Sequence, residues 1–190
     1  MKMGKIKIRF ILVAVVAIML SFVNQSTLAY YQTVGRATNV ITSGDFEYIV
    51  RERTDWGMDF PSEGVYVHPG DVVSKEVTIE NNCSHPFYVR VKLVYGVNSE
   101  ELSSEDCFKV NINSEYWEEH DGWFYYKDVV EPGVTTPYVF SHVEIVGSKV
   151  DNRYIGKTLS LTVKSQIVQS RNNTLENGKT YTASGWPSEV

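Results

Sequence analysis

Residues 86–95 read Pro-Phe-Tyr-Val-Arg-Val-Lys-Leu-Val-Tyr. In an extended chain Phe87, Val89, Val91, Leu93 and Tyr95 point one way, and Tyr88, Arg90, Lys92 and Val94 point the other. Five large apolar residues at period two predict a central strand with one face in a core. The turn-forming run Asn81-Asn82-Cys83-Ser84-His85 precedes it, and the polar loop 96–106 follows.

The same period recurs on both sides. Upstream, Val73, Lys75, Val77 and Ile79 alternate with Ser74, Glu76, Thr78 and Glu80, which predicts one half-buried strand. Before it, Val65-Tyr66-Val67 is a short strand, and His68-Pro69-Gly70-Asp71 has the Pro-Gly pair of a type II turn. Phe46, Tyr48 and Val50 make another alternating run, and the Gly- and Pro-containing stretch 54–64 is a loop.

Downstream, Phe108, Val110 and Ile112 alternate. Asp121-Gly122 between Tyr116-Trp117 and Trp123-Phe124-Tyr125-Tyr126 is a hairpin signal, with Trp117 and Trp123 expected close together across its arms. Val139, Val143 and Ile145 face inward from a strand at 138–146. Leu159, Leu161, Val163, Ser165 and Ile167 do so from 158–170. Residues 171–190 form a polar tail, expected to be loosely held, with only Tyr181 and Trp186 to anchor it. Helical periodicity is missing throughout. Eight or nine short strands with turns between them predict an all-β chain, an antiparallel β-sandwich or barrel in which two packed layers cover the apolar faces.

The first 29 residues read as an export signal. Lys2, Lys5, Lys7 and Arg9 precede the apolar run Phe10–Val23, whose 14 residues fall short of the roughly 20 of a membrane span. Thr27 and Ala29 are small residues at cleavage-site spacing, so the cut is expected between Ala29 and Tyr30; the alternative is an uncleaved anchor, the chain's only expected tie to a membrane. The expected organisation is signal peptide 1–29, N-terminal arm 30–43, sandwich 44–170 and tail 171–190. The full chain has 18 basic and 23 acidic residues. Without the signal's four basic residues the balance is 14 against 23, a net charge of −9. Such a chain is not expected to bind nucleic acid, whose phosphates need a basic face.

Cys83 and Cys107 are the only cysteines. In an exported chain they suggest a disulfide closing a loop of about 25 residues, with a stabilisation on the order of 3 kcal/mol; two buried thiols are the alternative. No catalytic constellation emerges. His68, His85, His120 and His142 are scattered, without the H-E-x-x-H of a zinc peptidase. Glu118-Glu119-His120-Asp121 reads as a solvated hairpin tip, and Asp55, Asp59 and Glu63 do not follow a calcium-loop pattern. The expectation is a non-enzyme with neither cofactor nor metal. Trp117, Trp123, Tyr125 and Tyr126 are candidates for a glycan- or protein-binding platform, with packing onto the sandwich as the alternative.

Several motifs together resemble the TasA/camelysin family of exported Gram-positive proteins. They are Ile41-Thr42-Ser43-Gly44 after the signal, Pro69-Gly70-Asp71 leading through Val73–Glu80 to Asn81, Pro86–Val91, Asp121–Tyr126, and Leu161–Gln169. The aromatic hairpin departs from TasA itself, which is longer. The resemblance implies a jelly-roll β-sandwich, cleavage by an ER-type signal peptidase, and secretion to the cell surface or biofilm matrix. It also implies self-association, in which the arm leaves its own domain and adds as a strand to the next subunit of a fibre. The donor residues would be Tyr31, Thr33, Val34, Val40 and Ile41. An arm docked in its own sandwich and an unpaired leader are the alternatives. A camelysin-like metallopeptidase is the more distant one.

Overall fold

The Phe87–Val97 strand is paired along its entire length. In the computed structural model, which describes residues 29–31, 47–104 and 106–188, it runs antiparallel to Thr158–Gln169 from Phe87↔Gln169 to Val97↔Leu159. The elements in order are β1 (Ala29–Tyr31), β2 (Tyr48–Arg53), β3 (Val65–Val67), β4 (Val72–Ser74), β5 (Glu76–Asn81), β6 (Phe87–Val97), β7 (Phe108–Ile112), β8 (Trp117–His120), β9 (Trp123–Tyr126), β10 (Phe140–Ile145) and β11 (Thr158–Gln169). Three short 3-10 turns, at Asn152–Tyr154, Glu176–Gly178 and Thr180–Thr182, complete them.

The chain is an all-β sandwich. One layer is a six-stranded sheet in the order β3-β1-β11-β6-β9-β8. The other contains the three-stranded sheet β4-β10-β7 and the two-stranded sheet β2-β5. The irregular stretch before β10 joins these two: Thr136 and Val139 donate backbone N–H to Ile79 and Val77 of β5. All strand pairs are antiparallel except β1 with β11. Phe87, Val89, Val91, Leu159 and Leu161 from the first layer meet Val77, Ile79, Val139, Phe140, Val143 and Ile145 from the second, all wholly buried in one cluster. Burying such side chains contributes about 1.5–3 kcal/mol each.

The turns follow their sequence chemistry. Gly70 has φ +93° and Asp71 N–H donates to His68 O, as a type II turn requires. Asp121 and Gly122 both have positive φ, giving the two-residue hairpin turn between β8 and β9.

Two expectations need correction. The strand predicted through Val73–Ile79 is two strands, broken at Lys75. There the chain changes partner, since β4 pairs with β10 and β5 with β2. Alternation continues through the break, so the sequence pattern conceals it. The tail is not loosely held. Thr180 and Ala183 are buried, and Ala183, Leu175 and Trp186 form a second apolar cluster with Tyr88, Val129 and Val168. Of the segment expected to hold the signal and donor arm, only Ala29–Tyr31 is described; Thr33, Val34, Val40 and Ile41 lie outside the described residues.

Candidate functional site

Two regions combine residues singled out by sequence with geometry that a plain sandwich does not need. The first is the seat of β1. Ala29, Tyr30 and Tyr31 lie opposite Val67, Tyr66 and Val65 of β3, while Tyr30 and Tyr31 lie opposite Thr158 and Leu159 of β11. β1 therefore separates β3 from β11 in the sheet. The expected cut between Ala29 and Tyr30 falls inside this strand.

The second is the outer face of the six-stranded sheet around Arg90, which the tail covers. β6 places Arg90 opposite Gln166 of β11 and Tyr125 of β9, and all three are buried. The Arg90 guanidinium donates through Nε to Gln166 Oε1 (2.8 Å), through Nη1 to Tyr125 Oη (2.8 Å) and through Nη2 to the Pro187 carbonyl (2.8 Å). It also lies between two indoles, 4.2 Å from the Trp123 ring centre and 4.9 Å from that of Trp186. Desolvated contacts of this type contribute on the order of 2 kcal/mol each. Further along, Tyr181 stacks on His120 with centroids 4.1 Å apart, Lys179 bridges to Glu118 at 2.8 Å, and Thr180 Oγ1 donates to Tyr126 O. The Glu118 carboxylate raises the Lys179 pKa.

This arrangement answers the question of an aromatic platform. Trp117, Trp123 and Tyr125 are 1%, 5% and 3% exposed, and Tyr126 is half-buried. They pack the hairpin and hold the tail, and Trp117, Trp123 and Tyr125 offer no open face to a ligand. Nor do the two tryptophans meet. The two-residue turn pairs Trp117 with Tyr126 and Trp123 with His120, so Trp117 faces the core and Trp123 faces outward. Trp117 Nε1 donates to Pro137 O. Sequence reasoning missed Arg90 and the tail's role. The available signal was a cation at an outward position of the most apolar strand, together with Trp186 in a polar tail.

The disulfide is also corrected: both thiols are free and buried. Cys83 lies at the start of β6, where its Sγ donates to Glu47 O and Tyr48 packs on Phe87. Cys107 lies at the far end, where Phe108 stacks on Tyr95. An eleven-residue strand of roughly 30 Å lies between them, against the ~5.5 Å that a disulfide needs between Cα atoms. Burial pushes the Cys83 thiol pKa up. Cys107 Sγ donates to Ser103 O, and Tyr154 Oη lies 3.7 Å away.

The histidines are engaged locally: His68 with Asp71, His85 with Ser84, His120 with Asp121, and His142 with Ser141. Among the described residues no three His, Cys, Asp or Glu side chains converge as a cation site, and no helix is long and apolar enough to cross a membrane. One buried charge stands out. Lys75, at the break between β4 and β5, is wholly buried, with Nζ 3.1 Å from Glu52 Oε1 and 4.9 Å from the centre of the Phe60 ring. Nζ makes no directed hydrogen bond. Burial lowers the Lys75 pKa, and the Glu52 carboxylate opposes that shift.

Compared with known proteins, the chain matches no protein-family model, no curated protein and no solved structure.

Proposed function

We propose that this chain is a secreted, non-catalytic structural protein of the cell surface or biofilm matrix. It is a jelly-roll sandwich resembling the TasA/camelysin proteins, and it self-associates by donating its N-terminal arm as a strand. The observation that carries the reading is the seat of β1. Ala29–Tyr31 is a three-residue strand held between β3 and β11, in the only parallel pairing among the described residues. Parallel pairing is slightly less stable per residue, and so short a strand makes few ladder bonds. Cleavage by an ER-type signal peptidase after Ala29 leaves only Tyr30 and Tyr31 of it on the mature chain. Once Tyr30 and Tyr31 leave with the arm, the vacated slot accepts an extended segment from a neighbour by β-augmentation: main-chain bonds give affinity and alternate side chains give register. A head-to-tail contact that does not close builds a fibre.

The test is N-terminal sequencing of the exported protein, with electron microscopy of that protein and of a version lacking residues 30–43. A mature N-terminus at Tyr30, with filaments only when the arm is present, is the expected result. Round monomers at every concentration and pH, or a mature N-terminus beyond Thr42, overturn the proposal.

A further inference from the structure

The tail beyond β11 is folded as a unit of its own. Asn173 and Ser184 tie its two ends, with Asn173 Nδ2 donating to Ser184 O (3.0 Å) and Ser184 N–H to Asn173 Oδ1 (2.9 Å). Between them Glu176 N–H donates to Thr182 Oγ1 (2.9 Å), and Trp186 Nε1 donates to Thr180 O (3.3 Å). The unit seats on one sheet. It meets Tyr88 and Arg90 of β6, Glu118 and His120 of β8, Tyr125 of β9 and Val168 of β11. None of these contacts depends on which chain the tail belongs to.

The link between sandwich and tail is short. β11 ends at Gln169 and the tail's own bonds begin at Asn173, which leaves Ser170, Arg171 and Asn172 as the connection. These residues reverse the chain. Asn173 N–H donates to Ser170 O (3.2 Å), and Asn172 has φ +61°, the left-handed region, in a residue that carries a Cβ. Gln169, Arg171 and Asn172 are exposed, so no packing holds the reversal in place. Across it runs one further bond, from Asn173 Nδ2 to Gln169 O (3.0 Å). A left-handed link costs backbone energy that an extended one does not, and a short link under strain invites exchange of the element it carries.

We infer that the tail is exchanged between two copies of the chain: residues 173–188 of each molecule seat on the Arg90 face of the other. The Trp123–Arg90–Trp186 stack, the Lys179–Glu118 bridge and the Tyr181–His120 pair all re-form across the pair. Only the link differs, where the reversal at Ser170–Asn173 straightens into a continuation of β11. Release of Asn172 from its left-handed conformation favours exchange. A tail tethered beside its own face meets that face at high effective concentration, which opposes exchange, so the exchanged form grows as protein concentration rises. The product is a closed two-fold dimer. It uses a different segment and a different face from the strand donation proposed above, and does not rest on it.

Lys179 and Glu118 report which chain holds which tail. Nζ and Oε1 are 2.8 Å apart and both side chains are partly open to solvent, so a carbodiimide joins them as an amide, the lost carboxylate oxygen leaving in the urea by-product. Equal parts of isotope-labelled and unlabelled exported protein are unfolded together in urea, refolded at a series of concentrations, cross-linked and digested. The expected result is a Glu118–Lys179 linked peptide with one labelled and one unlabelled half, in a share that rises with concentration. Contacts made by the N-terminal arm leave this readout unchanged, because the two residues meet only in the tail's seat. Asn172→Val, whose branched side chain resists the left-handed turn, strengthens dimerisation about 100-fold, as about tenfold at each of two links. Asn172→Gly, free of that strain, weakens it. Circular dichroism confirms that each variant is folded. Linked peptides whose two halves always carry the same label, at every concentration and in Asn172→Val, overturn the inference. So does an Asn172→Val protein that stays monomeric with a protease-sensitive tail.

Discussion

Removing the Glu52 carboxylate should expose the energetic strain at the point where β4 becomes β5. Lys75 is wholly buried, and Glu52, 15% exposed, is its only charged partner within 4 Å among the described residues. At 3.1 Å and an effective dielectric near 20, their attraction is about 5 kcal/mol, offset by desolvation of both groups. Glu52→Gln keeps the shape but leaves the ammonium uncompensated, and should cost about 3 kcal/mol. For a domain of this size that is a fall of roughly 6–12 °C in Tm. Lys75→Met in the Glu52→Gln background removes the orphaned charge and should return stability to within about 1 kcal/mol of the parent. The pH dependence carries the sign. Burial lowers the folded-state pKa of Lys75 below that of the unfolded chain, near 10.4. Between those values the unfolded chain binds more protons, so stability rises with pH through that window. Glu52 holds the folded value up, so Glu52→Gln extends the window to lower pH and enlarges the total rise. Urea melts from neutral pH up to about pH 10, the unfolded lysine value, measure all of this. A Glu52→Gln protein within 0.5 kcal/mol of the parent at pH 7 refutes the reasoning, as does one with no greater rise.

Three further outcomes are expected. Trp186→Ala removes one side of the Arg90 sandwich and should make residues 171–188 sensitive to protease, at a cost of about 2 kcal/mol; limited proteolysis with mass spectrometry reads the cut sites. The native protein should show no rapidly reacting thiol, and two on unfolding, with an intact mass that reductant does not change. Burial raises the Tyr48 pKa, so above about pH 10 the unfolded chain releases a phenolic proton that the folded chain keeps, and stability falls as pH rises. Tyr48→Phe should reduce that alkaline loss, while losing about 1 kcal/mol at neutral pH from the hydrogen bond to Ser165 O.

The inward register of β6 and β11 was legible because a period of two commits every second residue to the core, and Phe87, Val89, Val91, Leu159, Leu161 and Val163 are all buried. The outward register was not legible in the same way. Tyr88 and Arg90 were read only as pointing away from the inward set, and they are buried together with Gln166 and Val168 because the tail covers that end. Alternation reports which residues share a face, and carries no information on what the tail does to it, such as Pro187 meeting Arg90 from 97 residues away. The same limit explains Trp117 and Trp123. Their closeness was inferred from the turn, but a six-residue separation across a two-residue turn puts them in different register positions on opposite faces. The disulfide reading failed because cysteine counting contains no distances.

The Lys75 break and the exposed loop tip that carries Trp56 and Met58 are mechanically joined, which gives a last prediction. The tip's root is Phe60, whose N–H donates to Glu52 O while its ring lies against the Lys75 ammonium. Glu52, Lys75 and Phe60 therefore clamp β2, the start of β5 and the end of the tip loop at one point. An apolar replacement of the ion pair can restore global stability, because burial is non-directional, but it cannot restore the pull between Glu52 and Lys75 that orients the root. In the protein carrying both Glu52→Gln and Lys75→Met, the amides of Thr54, Gly57 and Phe60 should exchange with deuterium faster than in the parent, while the β6–β11 ladder stays as protected as before. Unchanged exchange at those three amides would show that backbone bonding alone orders the tip and that the buried charge serves only the strand break.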